Sequence, residues 1–455
     1  MEEPRGAPAL RSGSLSFIEV LATSIALIGP SMTPMLIAPY MFSLAGNGTW
    51  LAYVFGGTML LFVALCINQF ARRSSAAGSM YHYAAEHLGP IAGALGGWTL
   101  LWAYGFVAAA VLGAMAVFVG QLPWPNGFAV PPIAAAAFFA IVAWQAAYRG
   151  VQVSAVVMLV LEAISVTIIC ILIAIVLRAH GFSPDLDQVR LHGAFPGGAG
   201  NVGLAIALAV FSYVGFESAT AFGAEAKRPL VTIPRAVAGS VLFASAFFIL
   251  ATYAEIVGFS HAKTGLDRQT FPLGTLVELY GIGYLRVPIV IGALCSAFSV
   301  CLACVTTSGR IAFAMAQAGI LPAAFARVEP RHGTPNVAVT AITAIAFALA
   351  AGAMVLRVAP IDVFNNCGTL SSFGFVLAYM LIAVAAAVYL RRLRAMHPVD
   401  LGVSVIAFVL LLMTAITLFY PVPPPPQRWF GYAFVAFLVI ALAATAIRRS
   451  GRPQR

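Results

Sequence analysis

The sequence predicts an all-α, polytopic membrane protein with twelve transmembrane helices. Of its 455 residues 61% are hydrophobic and only 9% charged, the mean hydropathy is +0.95, and apolar runs of spanning length recur from end to end. A soluble domain needs roughly 25% charged residues to cover itself. A hydrocarbon core takes about 20 helical residues to cross. Ten-residue blocks of alternating polarity are absent, which argues against an outer-membrane barrel, and no connection is long enough for a soluble domain.

The predicted spans are 17–43, 48–70, 91–119, 131–149, 153–178, 199–224, 235–258, 286–315, 336–356, 361–389, 402–420 and 429–447. Residues 1–16 form an N-terminal tail without a cleavage site, so the first span reads as retained. With both termini in the cytoplasm, 18 of the 25 Lys and Arg residues fall inside, Arg72, Arg149 and Arg391 among them, and the basic tail 448–455 joins them. Seven fall outside, which fixes the orientation in a cell (inner) membrane. The net charge of +10 is then a topology signal with anionic lipid as its natural contact, and no nucleic-acid partner is expected.

Smaller features follow the same reading. The six cysteines lie inside spans without C-x-x-C pairing beside His, so they read as small apolar fillers and no metal site is expected from them. "PVPPPP" (421–426) reads as a stiff external spacer. No H-E-x-x-H, paired-Asp or Walker motif stands at membrane depth, so the protein reads as no enzyme, without cofactor, and without ATP as direct energy source. Charged or carbonyl-rich pore motifs of a channel are also missing. The sequence specifies no oligomeric state.

Two spans are interrupted. "GPSMTP" (29–34) places Gly29, Pro30 and Pro34 in the middle of span 1, and "FSYVGFES" (211–218) places Gly215 among polar residues in span 6. An isolated proline in a span is ordinarily a kink. Paired breaks five spans apart point instead to an inverted-repeat transporter with its site at the bilayer midplane.

The chain resembles the amino acid-polyamine-organocation permeases. "FSYVGFESATAFGAEAKRPLVTIPRAV" (211–237) resembles their sixth span, and "SAAGSMYHYAAEHLGPIAGALGGW" (75–98) their second-to-third connection. "SGRIAFAMAQAGILPAAFARVEPRHGTP" (308–335) matches the end of span 8 and "FNNCGTLSSFGFVLAY" (364–379) fits span 10. The resemblance implies a five-plus-five inverted repeat of the leucine-transporter-like kind, 17–178 against 199–389, with discontinuous helices 1 and 6 and two further spans in 402–447. It implies secondary active transport of a small molecule, an amino acid or, alternatively, an amine or polyamine, driven by a proton or sodium gradient.

The physics of such a site can be read from the chain. Span 1 runs outward, so its second half offers free N–H groups to an anion, while the first half of span 6 offers free carbonyls to an ammonium. Gly29, Ser31, Met32, Thr33, Tyr213, Val214 and Gly215 are the backbone candidates for substrate contact. In the family the span-1 break is a Gly-Ser/Gly-Gly tripeptide. Here it reads Met32, Thr33 and Pro34, and Pro34 lacks an N–H, so the Thr33 or Ser31 hydroxyl would have to replace the missing donor. This departure keeps amines in play. Phe211 aligns with a family gate, and Tyr104 is a second aromatic candidate.

Acids at membrane depth are functional candidates because burying them costs roughly 2.5–3.5 kcal/mol. Glu217 and Glu162 are the deepest and are candidates for proton coupling, with hydrogen-bonded structural acids as the competing reading. Some relatives place a lysine in span 5, whereas this chain reads "LVLEAISV" (159–166). Glu19 and Glu255, near span ends, read as solvated or interfacial, and Glu225 as part of a cytoplasmic gate. Thr306 and Thr307 could ligate sodium, although hydroxyl bonding within their own helix is the default.

Overall fold

Ser16 starts the first helix with a capping box. Its backbone N–H donates to Glu19 Oε2 at 2.7 Å and its hydroxyl accepts from the Glu19 N–H at 3.4 Å. This helix, α1 (Phe17–Ile28), stops at Gly29, whose φ of 59° is the left-handed cap that glycine adopts freely. A π turn, Thr33–Ile37, follows and leads into α2 (Ala38–Ala45). The computed structural model describes residues 13–73, 79–125, 128–223, 225–260, 262–394, 397–420, 422 and 425–450. Arg5, Arg11, residues 75–78 of the second-to-third connection, three prolines of the external run and residues 451–455 lie outside the described residues.

The chain continues as α3 (Thr49–Ala71), α4 (Ser79–Leu88), α5 (Pro90–Gly120), α6 (Pro132–Tyr148), α7 (Val151–Ala179), α8 (Leu186–Val189) and α9 (Ala199–Tyr213). After α9 the backbone turns at Gly215 (φ 105°) into a 3₁₀ segment, Phe216–Phe222. Then come α10 (Pro229–Phe259), α11 (Pro272–Leu279), α12 (Arg286–Gln317), α13 (Asn336–Val355), α14 (Pro360–Arg392), α15 (Pro398–Thr417) and α16 (Phe430–Ser450). Among the described residues the β content is two isolated bridges.

Among the described residues, ten stretches are long and apolar enough to cross a membrane. The number differs from twelve for two reasons. Spans 1 and 2 are joined by a three-residue turn, Gly46–Gly48, so Phe17–Ala71 is one continuous stretch of 55 residues. Helix α6 has 17 residues and is a shorter apolar helix.

The centre is built by α5, α12 and α14, with α3 against α10 and α7 against α12. Small residues let these helices approach closely. A Cβ on Gly113 of α5 would stand 2.8 Å from the Pro360 carbonyl of α14, and one on Gly374 of α14 2.5 Å from the Thr99 carbonyl of α5. Helices α15 and α16 pack on the outside and present most of their apolar side chains outward.

One expectation is corrected here. Glu255 is 2% exposed, sealed under α7 and α11 rather than placed at an interface. Its helix continues to Phe259 and α11 folds back over it.

Candidate functional site

The two interruptions meet. A Cβ on Gly215 would lie 1.7 Å from Leu27 Cδ2, and one on Gly29 would lie 2.4 Å from Val300 Cγ2 of α12. Both glycines are therefore required twice, by positive φ and by contact. On the α1 side of the breaks, the Ser24 hydroxyl donates to the Phe216 carbonyl at 2.9 Å and accepts from the Ala219 N–H at 3.0 Å. The inner parts of the two interrupted segments are thus tied to each other.

Between the breaks lies a tight space of about 30 Å³. Met32, Thr33, Phe211 and Val214, four of the residues singled out in the sequence, line it. The remaining wall is apolar apart from Ser212, whose hydroxyl donates to the Leu208 carbonyl at 3.2 Å, and includes Ile28, Val107, Val111, Val300 and Phe364. None of the lining residues carries a charge. The Thr33 hydroxyl on this wall is buried and has no hydrogen-bond partner among the described residues.

Phe211 and Phe364 separate this space from a larger vestibule of about 420 Å³, since both line the two cavities. Their rings meet edge to face with centroids 6.3 Å apart. Gly368, one helical turn beyond Phe364, makes room for the gate ring: a Cβ there would come 2.7 Å from Phe211 Cζ. Asp362, Asn365 and Thr369 line the vestibule.

The acids are divided between two clusters. Glu217 is 1% exposed, and both carboxylate oxygens are occupied: Tyr104 donates at 2.5 Å, Tyr379 at 2.6 Å and the Gly215 N–H at 3.2 Å. Tyr104 is thereby a support for Glu217 and is absent from the cavity wall. Glu162 Oε1 accepts from Ser31 at 3.3 Å and from Ser296 of α12 at 3.1 Å, while Ser165 donates to Ser31 at 2.7 Å. The second oxygen, Oε2, is buried without a partner among the described residues. Ser31 thus belongs to the Glu162 cluster, which joins the span-1 break to α7 and α12.

Other candidates fall elsewhere. Tyr213 turns away from the cavity, donates to the Tyr53 carbonyl at 2.9 Å and packs on Phe248. Thr306 bonds to the Leu302 and Ala303 carbonyls of its own helix, and Thr307 is buried with no partner among the described residues. Beside the start of α1, Glu225 and Arg310, each 1% exposed, form a two-pronged pair at 2.7 and 3.0 Å, with the guanidinium over the Phe222 ring. Leu15 bonds on both sides of Ala226, to the Glu225 carbonyl and from the Lys227 N–H, each at 2.9 Å.

Phe364, Tyr379, Val107 and Val300 were not singled out in the sequence. Phe364 and Tyr379 sit at the two ends of the span-10 motif; the two valines carry no signal distinct from packing.

These features define a multi-pass membrane transporter. The profile of the family described as amino acid permease matches residues 20–451, and the chain belongs to that family. It is 30% identical over 419 residues to an uncharacterized transporter of Mycobacterium tuberculosis, covering 90% of this chain and 89% of the other. It is 27% identical over 327 residues to the branched-chain amino acid permease BcaP of Lactococcus lactis subsp. cremoris, covering 67% and 69%. The crystal structure of MhsT in complex with L-phenylalanine superposes with a TM-score of 0.60 at 16% identity, covering 90% of this chain and all of that one, which speaks to the fold. The protein is a secondary transporter of amino acids.

Proposed function

We propose that the protein carries amino acids with apolar side chains across the cell membrane by alternating access, with the substrate held between the two breaks. The observation that carries this reading is the cavity wall itself: aliphatic and aromatic side chains, no charge, and one free hydroxyl, Thr33. A cationic amine would need an ionised partner there, and the nearby Glu217 already receives three hydrogen bonds. The name of the Lactococcus relative agrees with this preference.

In this reading the 55-residue stretch crosses twice and α6 crosses once, giving twelve spans. Residues 17–178 and 199–389 are the inverted repeats, with helices 1 and 6 discontinuous and both termini cytoplasmic. The Thr33 hydroxyl takes the place of the donor that Pro34 lacks and seats the substrate carboxylate, while Ser31 serves Glu162. Phe211 and Phe364 form a thin outer gate; Glu225, Arg310 and the Leu15 bridge form the inner one. Lipid covers the outward faces of α15 and α16.

Glu162 is the preferred proton carrier. It bridges the span-1 break to α7 and α12 and keeps one oxygen free, so adding a proton changes contacts between parts that must move. Glu217 holds the span-6 break in place.

The test is uptake into proteoliposomes of leucine, valine and phenylalanine against lysine and putrescine, with pH and sodium gradients imposed separately. Apolar amino acids should enter and the cations should not. The Glu162→Gln variant should exchange substrate yet lose its response to the pH gradient. Preferred uptake of lysine or putrescine would overturn the substrate reading, and a response to sodium alone would overturn the proton reading.

A further inference from the structure

Glu255 has no role in the site described above, and its surroundings are unusual for an acid. Both carboxyl oxygens are buried without a hydrogen-bond partner among the described residues. They face a cavity of about 10 Å³ whose wall is apolar: Pro34 of the π turn, Leu172 and Val176 of α7, and Leu273 and Leu276 of α11. A sodium ion would need several oxygen ligands, which this wall does not supply. An ionised carboxylate held away from water and donors carries a heavy desolvation penalty, so the packing shown suits the neutral acid.

Charged groups on the surrounding elements do not compensate. Tyr53 of α3 is the neighbour that couples electrostatically to Glu255, and it offers no positive charge. Glu162 of α7 bonds to Ser31 and Ser296, Arg178 at the end of α7 is exposed, and Glu278 of α11 is paired with Arg286. Glu217 of the 3₁₀ segment is held by its tyrosines, and Asp267 is paired with Arg268.

The position also places Glu255 one layer below water. Ile256 and Val257, the next two residues, line an extracellular cavity of about 600 Å³ together with His180, Asp185 and Asp187. Helix α11 and the π turn at Pro34, which close over the carboxyl, pack against each other and against α10. Movement of the outer half of span 1 would therefore change what covers the carboxyl.

We propose that Glu255 is a proton-binding site loaded from the extracellular side, and that its neutral form is the one that lets α11 and the π turn at Pro34 close over it. When these elements separate, the carboxyl meets external water and ionises; closure requires it to take a proton back from that water. The proposal rests on the transport reading for its consequence, because closure of the outer half then becomes dependent on external pH through a residue distinct from Glu162.

Two measurements test it. The infrared spectrum of the purified protein at neutral pH should contain a protonated-carboxyl C=O band that disappears in Glu255→Gln. Leucine counterflow in proteoliposomes, with equal pH on both faces, should fall several-fold for the unaltered protein from mildly acid to mildly alkaline conditions. Glu255→Gln and Glu255→Met should flatten that fall. An unchanged infrared band, or an unchanged pH profile in both Glu255 variants, overturns the proposal. Failure of Glu255→Met to fold also overturns it, since an apolar side chain suits the wall described and its rejection would mean that the carboxyl has a polar partner. Absence of any counterflow by the unaltered protein would contradict the transport reading while the infrared result still decides the protonation.

Discussion

In the proposed orientation, the cytoplasmic and extracellular closures are built from different materials. On one side, a fully buried ion pair between Glu225 and Arg310, a cation-π contact to Phe222 and backbone bonds at Leu15 join the start of α1, the stretch around Phe222 and Glu225, and α12. Outside, two aromatic rings, Phe211 and Phe364, stand between the small space and an open vestibule. The first is a polar lock whose opening exposes charges that must find water. The second is an apolar flap that rotamer changes can open. An ion pair buried this deeply contributes little net stability but penalises any state that separates only one partner, and the proposed reading, which puts this pair at the cytoplasmic face, takes access to be from outside.

The largest expected effect comes from removing the shared scaffold of both closures. Gly215→Leu must adopt positive φ, a strain of about 1–3 kcal/mol, and also displace Leu27. Uptake should be lost while membrane insertion, followed by fluorescence-detected size exclusion, persists. Next is Arg310→Met, which leaves Glu225 buried without its partner at a cost of about 3–5 kcal/mol. Thermal unfolding should shift down markedly, and adding Glu225→Leu should restore much of the loss without restoring a tight cytoplasmic closure, read as substrate leak.

The outer gate is expected to respond more gently. Gly368→Ala pushes on the Phe211 ring, an overpacking worth about 1–3 kcal/mol. Apparent affinity for leucine should fall in Gly368→Ala and in Phe211→Ala separately. The double variant should be no worse than Phe211→Ala, because the added methyl has nothing left to strike. Additive losses would mean that Gly368 acts through something other than the ring. Thr33→Val is expected to act on a similar scale. It removes the hydrogen bond proposed to seat the substrate carboxylate, about 1.5–3 kcal/mol, and should weaken leucine binding about tenfold or more, with the amine-free analogue isocaproate affected to the same degree.

The breaks were legible because glycine and proline announce backbone that a helix cannot keep, and because Gly29 and Gly215 stand at corresponding places in the chain. Which side chains turn toward the cavity was not legible. Tyr213 lies two residues from Phe211, yet the turn at Val214 and Gly215 sends it to α3 and α10. Tyr104 reads in the sequence as a second aromatic candidate beside Phe211, and only the approach of α5 to the 3₁₀ segment and α14 reveals it as one of two hydroxyls on Glu217. Glu255 misled for a related reason. Distance from the end of a span measures depth along one helix, whereas burial depends on α7 and α11, which no local pattern near residue 255 records.

The central claim, a substrate space reached from outside past Phe211 and sealed from inside by Glu225 and Arg310, can be tested at Ser212, which lines that space. The measurement is the rate at which a membrane-impermeant thiol reagent labels Ser212→Cys in a background with the six native cysteines replaced, applied from each face of oriented vesicles. Labelling from the extracellular face should be slowed by saturating leucine and accelerated by Phe211→Ala, with none from the cytoplasmic face while the ion pair is intact. Labelling from the cytoplasmic face alone, or an external rate indifferent to leucine, would contradict the account.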